Sequence, residues 1–161
     1  MSKILCATLF VFVGLFGAAS PVLAEQSPPD SAQAKEIVAL VERAAALINA
    51  KGKAAFAEFK NNASEWRKGD AYLFITDMKG VSMLNMGFPK FEGTDTSALK
   101  DSTGKAIVKE QIALTQSQGA GWLNYMWPKP GQTEPLKKWS YVKAVSVDGK
   151  PGYVGAGFYP K

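Results

Sequence analysis

Apolar residues recur at three- and four-residue spacing through 37-IVALVERAAALINA-50. Ile37, Leu40, Val41, Ala44, Leu47 and Ile48 fall on one helical stripe. Lys35, Glu36, Glu42 and Arg43 lie largely outside it. Asp30, placed after two prolines and followed by Gln33, is the expected N-cap, and Gly52 ends the helix. A second, shorter helix is predicted over 53-KAAFAEFKNN-62, with Phe56 and Phe59 turned inward. Beyond Gly69 the residues become aromatic and β-branched. The segments 71-AYLFITD-77 and 81-VSMLNMG-87 predict two strands joined by a turn at Met78-Lys79-Gly80.

Phe88 to Gly104 is a long connection with turn signals at Glu92-Gly93-Thr94-Asp95 and Asp101-Ser102-Thr103-Gly104. Helical spacing returns over 106–118 through Ile107, Ile112 and Leu114 or Thr115. Three closing strands are expected at about 120–127, 138–147 and 152–159, the last two joined by the tight turn Asp148-Gly149-Lys150-Pro151. There is no internal repeat and no low-complexity tract. A helical stripe must be covered, and a sheet is the partner at hand. The predicted class is α+β: an amino-terminal helical arm on a five-stranded antiparallel sheet, with the long connection over the other face.

The first 24 residues stand apart. Lys3 precedes an uncharged, mostly apolar run from Ile4 to Ala24, and Val22-Leu23-Ala24 offers a cleavage site. These features fit a secretory signal peptide rather than a membrane anchor, because Gly14, Gly17, Ser20 and Pro21 break the end of the run. The expected organisation is a signal peptide over 1–24, an exposed lead-in over 25–34 and one domain over 35–161, exported to the periplasm.

The single cysteine, Cys6, lies inside the signal, and the chain has no histidine. Disulfides, thiol nucleophiles, histidine acid–base chemistry and most transition-metal sites are therefore excluded from the mature chain. The net charge of +5 is scattered rather than clustered, which argues against nucleic acid and fits capture of small anions by steering. Asp77, Glu92, Asp95 and Asp101 lack the spacing of a calcium loop and read as turn residues. Gly155-Ala156-Gly157 sits in a strand with no helix after it, so it signals close backbone packing rather than a phosphate loop. Ser64, Glu65 and Lys68 form no catalytic set. No enzyme activity and no cofactor is expected.

Several pieces, in order, resemble a known family: YLFITD–KG, FP–FEG, Gly121-Trp122, Tyr125, Trp127-Pro128, Ser140-Tyr141-Val142-Lys143 and Gly155-Ala156-Gly157. Over roughly residues 35–159 the chain resembles an extracytoplasmic single Cache domain of the second single-Cache type, in a stand-alone secreted form. The resemblance implies a PAS-like five-stranded antiparallel sheet with a long N-terminal helix on one face. It also implies a pocket on the other face that takes small molecules, often short carboxylates. Family members are usually sensor parts of chemoreceptors and histidine kinases. The sequence stops at Lys161, so signalling is expected to pass to a separate membrane receptor, kinase or transporter. Many members carry a histidine soon after the second strand, where this chain has Asn85-Met86-Gly87-Phe88.

Within 119-GAGWLNYMWPKPGQ-132, alternation puts Leu123, Tyr125 and Trp127 on one face and Trp122, Asn124 and Met126 on the other. On the next strand Trp139, Tyr141, Lys143 and Val145 share a face, opposite Lys138, which reads as a solvated edge charge. Pairing that unites Tyr125, Trp127, Tyr141 and Lys143 makes a site for a small organic anion. The lysine meets the charge, the hydroxyls orient the oxygens and the tryptophan shields the aliphatic end. Asn85 is a further candidate for the wall, whereas Met83 reads as hydrophobic filler. The expected function is periplasmic binding and sensing of a short-chain carboxylate. The alternative is a structural or adaptor protein whose pocket is closed by its own aromatics.

Overall fold

The computed structural model describes residue 28 and residues 30–160; the expected signal peptide lies outside the described residues. Helix α1 (Ala32–Lys51) begins at Ser31, not at Asp30. The Ser31 hydroxyl accepts from the Ala34 amide at 3.1 Å, while Asp30 pairs with Lys35 in solvent. The expected stripe is buried at Ile37, Leu40, Val41, Ala44 and Ile48, with Ala45 added and Leu47 at its margin. Helices α2 (Ala54–Asn61) and α3 (Ala63–Trp66) follow, and Phe59 and Trp66 meet edge to face.

The expected first strand breaks at Leu73. A short ribbon pairs β1 (Arg67–Lys68) with β2 (Ala71–Tyr72), and β3 (Phe74–Asp77) enters the main sheet. That sheet also contains β4 (Ser82–Asn85), β5 (Ala120–Pro128), β6 (Pro135–Val147) and β7 (Lys150–Phe158). It is antiparallel throughout, in the order β4-β3-β7-β6-β5. Helix α1 crosses β6 and β7 on one face, where Leu73, Ile75, Trp139, Val154, Ala156 and Phe158 cover its stripe.

Helix α4 (Ile107–Gln118) and the loop before it cover the other face. Acidic residues hold the β3–β4 turn and this loop. Asp77 accepts from the amides of Lys79 and Val81, and Asp95 from Ser97. Asp101 accepts from Thr103 and Lys105, and across to Met126 on β5. These carboxylates act as turn and tether residues. Among the described residues no helix is long and apolar enough to cross a membrane.

Candidate functional site

Between the sheet and its cover lies a cavity of about 50 Å³, a few times the space one water needs. The sheet side is built by alternation. Tyr72, Phe74 and Thr76 point into it while Leu73 and Ile75 point to α1. A bulge opposite Ile75 and Thr76 re-phases β4, so that both Ser82 and Asn85 reach the cavity, and Met83 packs into the α1 core. Tyr125 and Trp127 enter from β5, and the cover contributes Phe91, Leu99, Ile107, Val108 and Gln111.

The β5–β6 register decides which strand neighbours join them. Tyr125 lies opposite Lys138, Trp122 opposite Tyr141, and Ala120 opposite Lys143. The four residues expected to cluster are therefore divided. Tyr125 and Trp127 line the cavity, whereas Tyr141 and Lys143 lie on the helix face. There the Lys143 ammonium donates to Glu42 at 2.6 Å and the Tyr141 hydroxyl reaches the same carboxylate at 3.5 Å. The Glu42 hydrogen bond raises the Lys143 pKa. Burial, reinforced by Glu42, raises that of Tyr141.

Lys138 is the second correction. Far from being a solvated edge charge, it is 1% exposed. Its ammonium stands 4.0 Å from the centroid of the Tyr72 ring, 5.6 Å from Phe74 and 5.7 Å from Tyr159. No carboxylate pairs with it among the described residues, and burial lowers its pKa to about 7. The glycines of β7 make room: a Cβ on Gly157 would stand 2.8 Å from the Lys138 Cε, and one on Gly155 2.5 Å from the Phe74 ring.

Polar groups around the cavity are held in fixed states. The Tyr125 hydroxyl lies 2.9 Å from the Ser140 Oγ, and burial pushes its pKa up to about 12, so it stays neutral. Burial likewise raises Tyr72 and Tyr153. Tyr153 donates to the Gln111 Oε1 at 2.9 Å. Trp127 packs edge-on against Phe88 at 5.5 Å and Tyr125 at 6.3 Å, so much of its surface is buried by the chain itself.

Two signals for these residues were present in the sequence. All β5–β6 pairs centre on the Gly131–Gln132 bond, where Gly131 takes a positive φ of 79°. Placing the turn there would have set Lys138 against Tyr125. Gln111 lies one turn after Ile107 and one before Thr115, so the buried stripe of α4 is Ile107, Val108, Gln111 and Thr115. Of the expected spacing, Ile107 and Thr115 are on this stripe, whereas Ile112 and Leu114 pack partly buried at its margin.

A family model described as Cache domain matches residues 33–159. Over 90 residues the chain is 38% identical to the methyl-accepting chemotaxis protein McpP of Pseudomonas putida, covering 56% of this chain and 16% of that protein. The matched region is thus a small part of the relative's length. A Cache chemosensory domain solved for its carboxylic acid recognition superposes with a TM-score of 0.68 at 33% identity, over 81% of this chain and 95% of that one. A periplasmic sensor domain of a chemotaxis protein gives 0.66 at 30%, over 80% and 95%. A methyl-accepting chemotaxis protein from Vibrio parahaemolyticus shares the fold, at 0.58 and 24% identity over 78% and 86%.

Proposed function

The chain belongs to the Cache domain family, and from that premise we propose that it binds a short-chain carboxylate or similar small anion in the cavity beneath α4. Its relatives are chemoreceptor sensor domains, which are not enzymes. The observation that carries the reading is Lys138, a buried cation with no anionic partner among the described residues, whose nearest rings, Tyr72 and Phe74, also line the cavity. An anion there lies about one aromatic ring from the ammonium. At an effective dielectric near 20, such a pair gains about 2–4 kcal/mol. Tyr125 supplies a neutral hydroxyl, and Trp127 with Ile107 and Val108 encloses the aliphatic end. The small volume selects acids of about two to four carbons.

The setting of this reading is the periplasm, with the occupied state passed to a membrane receptor, kinase or transporter. It is supported by the periplasmic and chemoreceptor relatives and by the signal-like first 24 residues. Thermal denaturation with a panel of two- to four-carbon carboxylates tests it. A ligand at a hundredfold its dissociation constant stabilises by about 2.7 kcal/mol. If no acid shifts the transition, the reading fails, and the adaptor with a self-filled pocket takes its place.

A further inference from the structure

Gln111 is 2% exposed and lines the cavity from the covering helix. Its two amide atoms are treated differently by their surroundings. The Oε1 accepts from the Tyr153 hydroxyl at 2.9 Å. The Nε2 is buried with no partner among the described residues. The neighbouring Tyr125 hydroxyl, 2.9 Å from the Ser140 Oγ, lies beside the Gln111 amide without completing a hydrogen bond to its Nε2. A buried amide donor without an acceptor destabilises the fold, so folded chains rarely retain one. Every other residue on the buried stripe of α4 is apolar except Thr115, whose hydroxyl is satisfied by the Gln111 carbonyl at 2.8 Å. Leucine or methionine would fill the position without an orphan.

We propose that Gln111 is a specificity-determining residue of the cavity: its Nε2 is a donor held in reserve for a carboxylate oxygen of the bound acid. Tyr153 fixes the orientation, since the amide presents its nitrogen to the cavity only while its oxygen is held by the tyrosine. The ligand thus meets positive charge from the Lys138 side and a directed hydrogen bond from the α4 side. Helix α4 becomes the element that contacts the acid from the cover, through a side chain that rests unsatisfied until the acid arrives.

The inference rests on the carboxylate reading above, and the two fail in different ways. Gln111→Met keeps the length of the side chain and removes the donor. The Tyr153 hydroxyl then turns to Thr76, already within its reach. Affinity for the best acid of the panel should fall by about tenfold or more. The melting temperature of the ligand-free variant should stay level or rise, because no orphan donor remains. That opposition of sign is what a merely structural glutamine would not produce. Undiminished binding by Gln111→Met overturns the inference and leaves the carboxylate reading standing. A ligand-free melting temperature that drops together with affinity also overturns it, provided Gln111→Leu, tested in case methionine packs poorly, behaves the same way. If the wild type binds no acid, both fall together.

Discussion

Lys138 holds its ammonium 4.0 Å from the centroid of the Tyr72 ring, where the described residues supply aromatic faces but no carboxylate. A desolvated cation–π contact contributes about 2 kcal/mol. Withdrawing an ammonium from water is unfavourable by several kcal/mol. The rings therefore offset only part of the cost, and the ligand-free chain carries a charge that an incoming anion would neutralise.

The first consequence is a dependence of stability on pH. The folded chain holds the Lys138 pKa at about 7, lowered by burial, whereas an unfolded lysine titrates near 10.4. Between those values the unfolded state binds more protons, so ligand-free stability should rise from pH 7 towards pH 10. The rise amounts to a few kcal/mol, at about 1.4 kcal/mol for each step of one in pH. Below pH 7 both states are protonated and the penalty is present in full. Lys138→Met should remove that rise and be the more stable protein at pH 6. Carboxylate affinity should change in the opposite sense, weakening above pH 7. Urea titrations of both proteins at pH 6 and 9 check this, and parallel profiles would rule it out.

Ile48 is wholly buried between α1 and the sheet, at the end of the stripe that periodicity placed there. Ile48→Ala should lower stability by about 2–5 kcal/mol, as truncation of buried aliphatic side chains does. A loss under half a kcal/mol in denaturant titration would show that α1 does not share the core.

The contrast between that helix and the cavity explains how much could be read from the sequence. Local periodicity identifies α1, α4 and all five sheet strands, because a stripe or an alternation is written within a dozen residues. The β5–β6 register is set by where one turn closes, and a shift of one residue exchanges the faces. Alternation correctly keeps Lys138 apart from Lys143 but cannot tell which face is covered. Lysine is seldom buried, so the pattern alone sends Lys138 to solvent and Lys143 to the ligand. Gln111 is hidden because a polar residue on a helical stripe resembles a boundary position until its surroundings are known.

The two lysines give a paired test of that register. Lys143 and Glu42 are both partly exposed, at 35% and 42%, so their ion pair contributes about 1 kcal/mol or less. Lys143→Met should reduce stability slightly and leave carboxylate affinity unchanged. Lys138→Met should weaken affinity by about thirtyfold or more, as loss of an ion pair of about 2–4 kcal/mol would. Calorimetric titration of both variants with one acid decides the matter; an effect confined to Lys143→Met would reverse the assignment.

Gly157 provides the last test, because it supports the site without touching the cavity. Its φ lies outside the left-handed region, so alanine meets no backbone strain and the constraint is spatial. An added Cβ would collide with the Trp139 carbonyl oxygen and the Ser140 hydroxyl, and would stand 2.8 Å from the Lys138 Cε. The carbonyl belongs to the β6 backbone and cannot turn aside. The serine hydroxyl is the group that holds Tyr125, and the lysine stem is the one that carries the buried charge. Gly157→Ala must therefore displace both from their places beside Tyr72 and Tyr125. Overpacking of this kind destabilises by about 1–3 kcal/mol. Binding should weaken as well, since the hydroxyl that holds Tyr125 and the buried ammonium behind Tyr72 move together. Chemical denaturation and carboxylate titration of the single variant measure the two effects. Wild-type stability and affinity in Gly157→Ala would mean that β6 and β7 are not packed as closely as the structure places them.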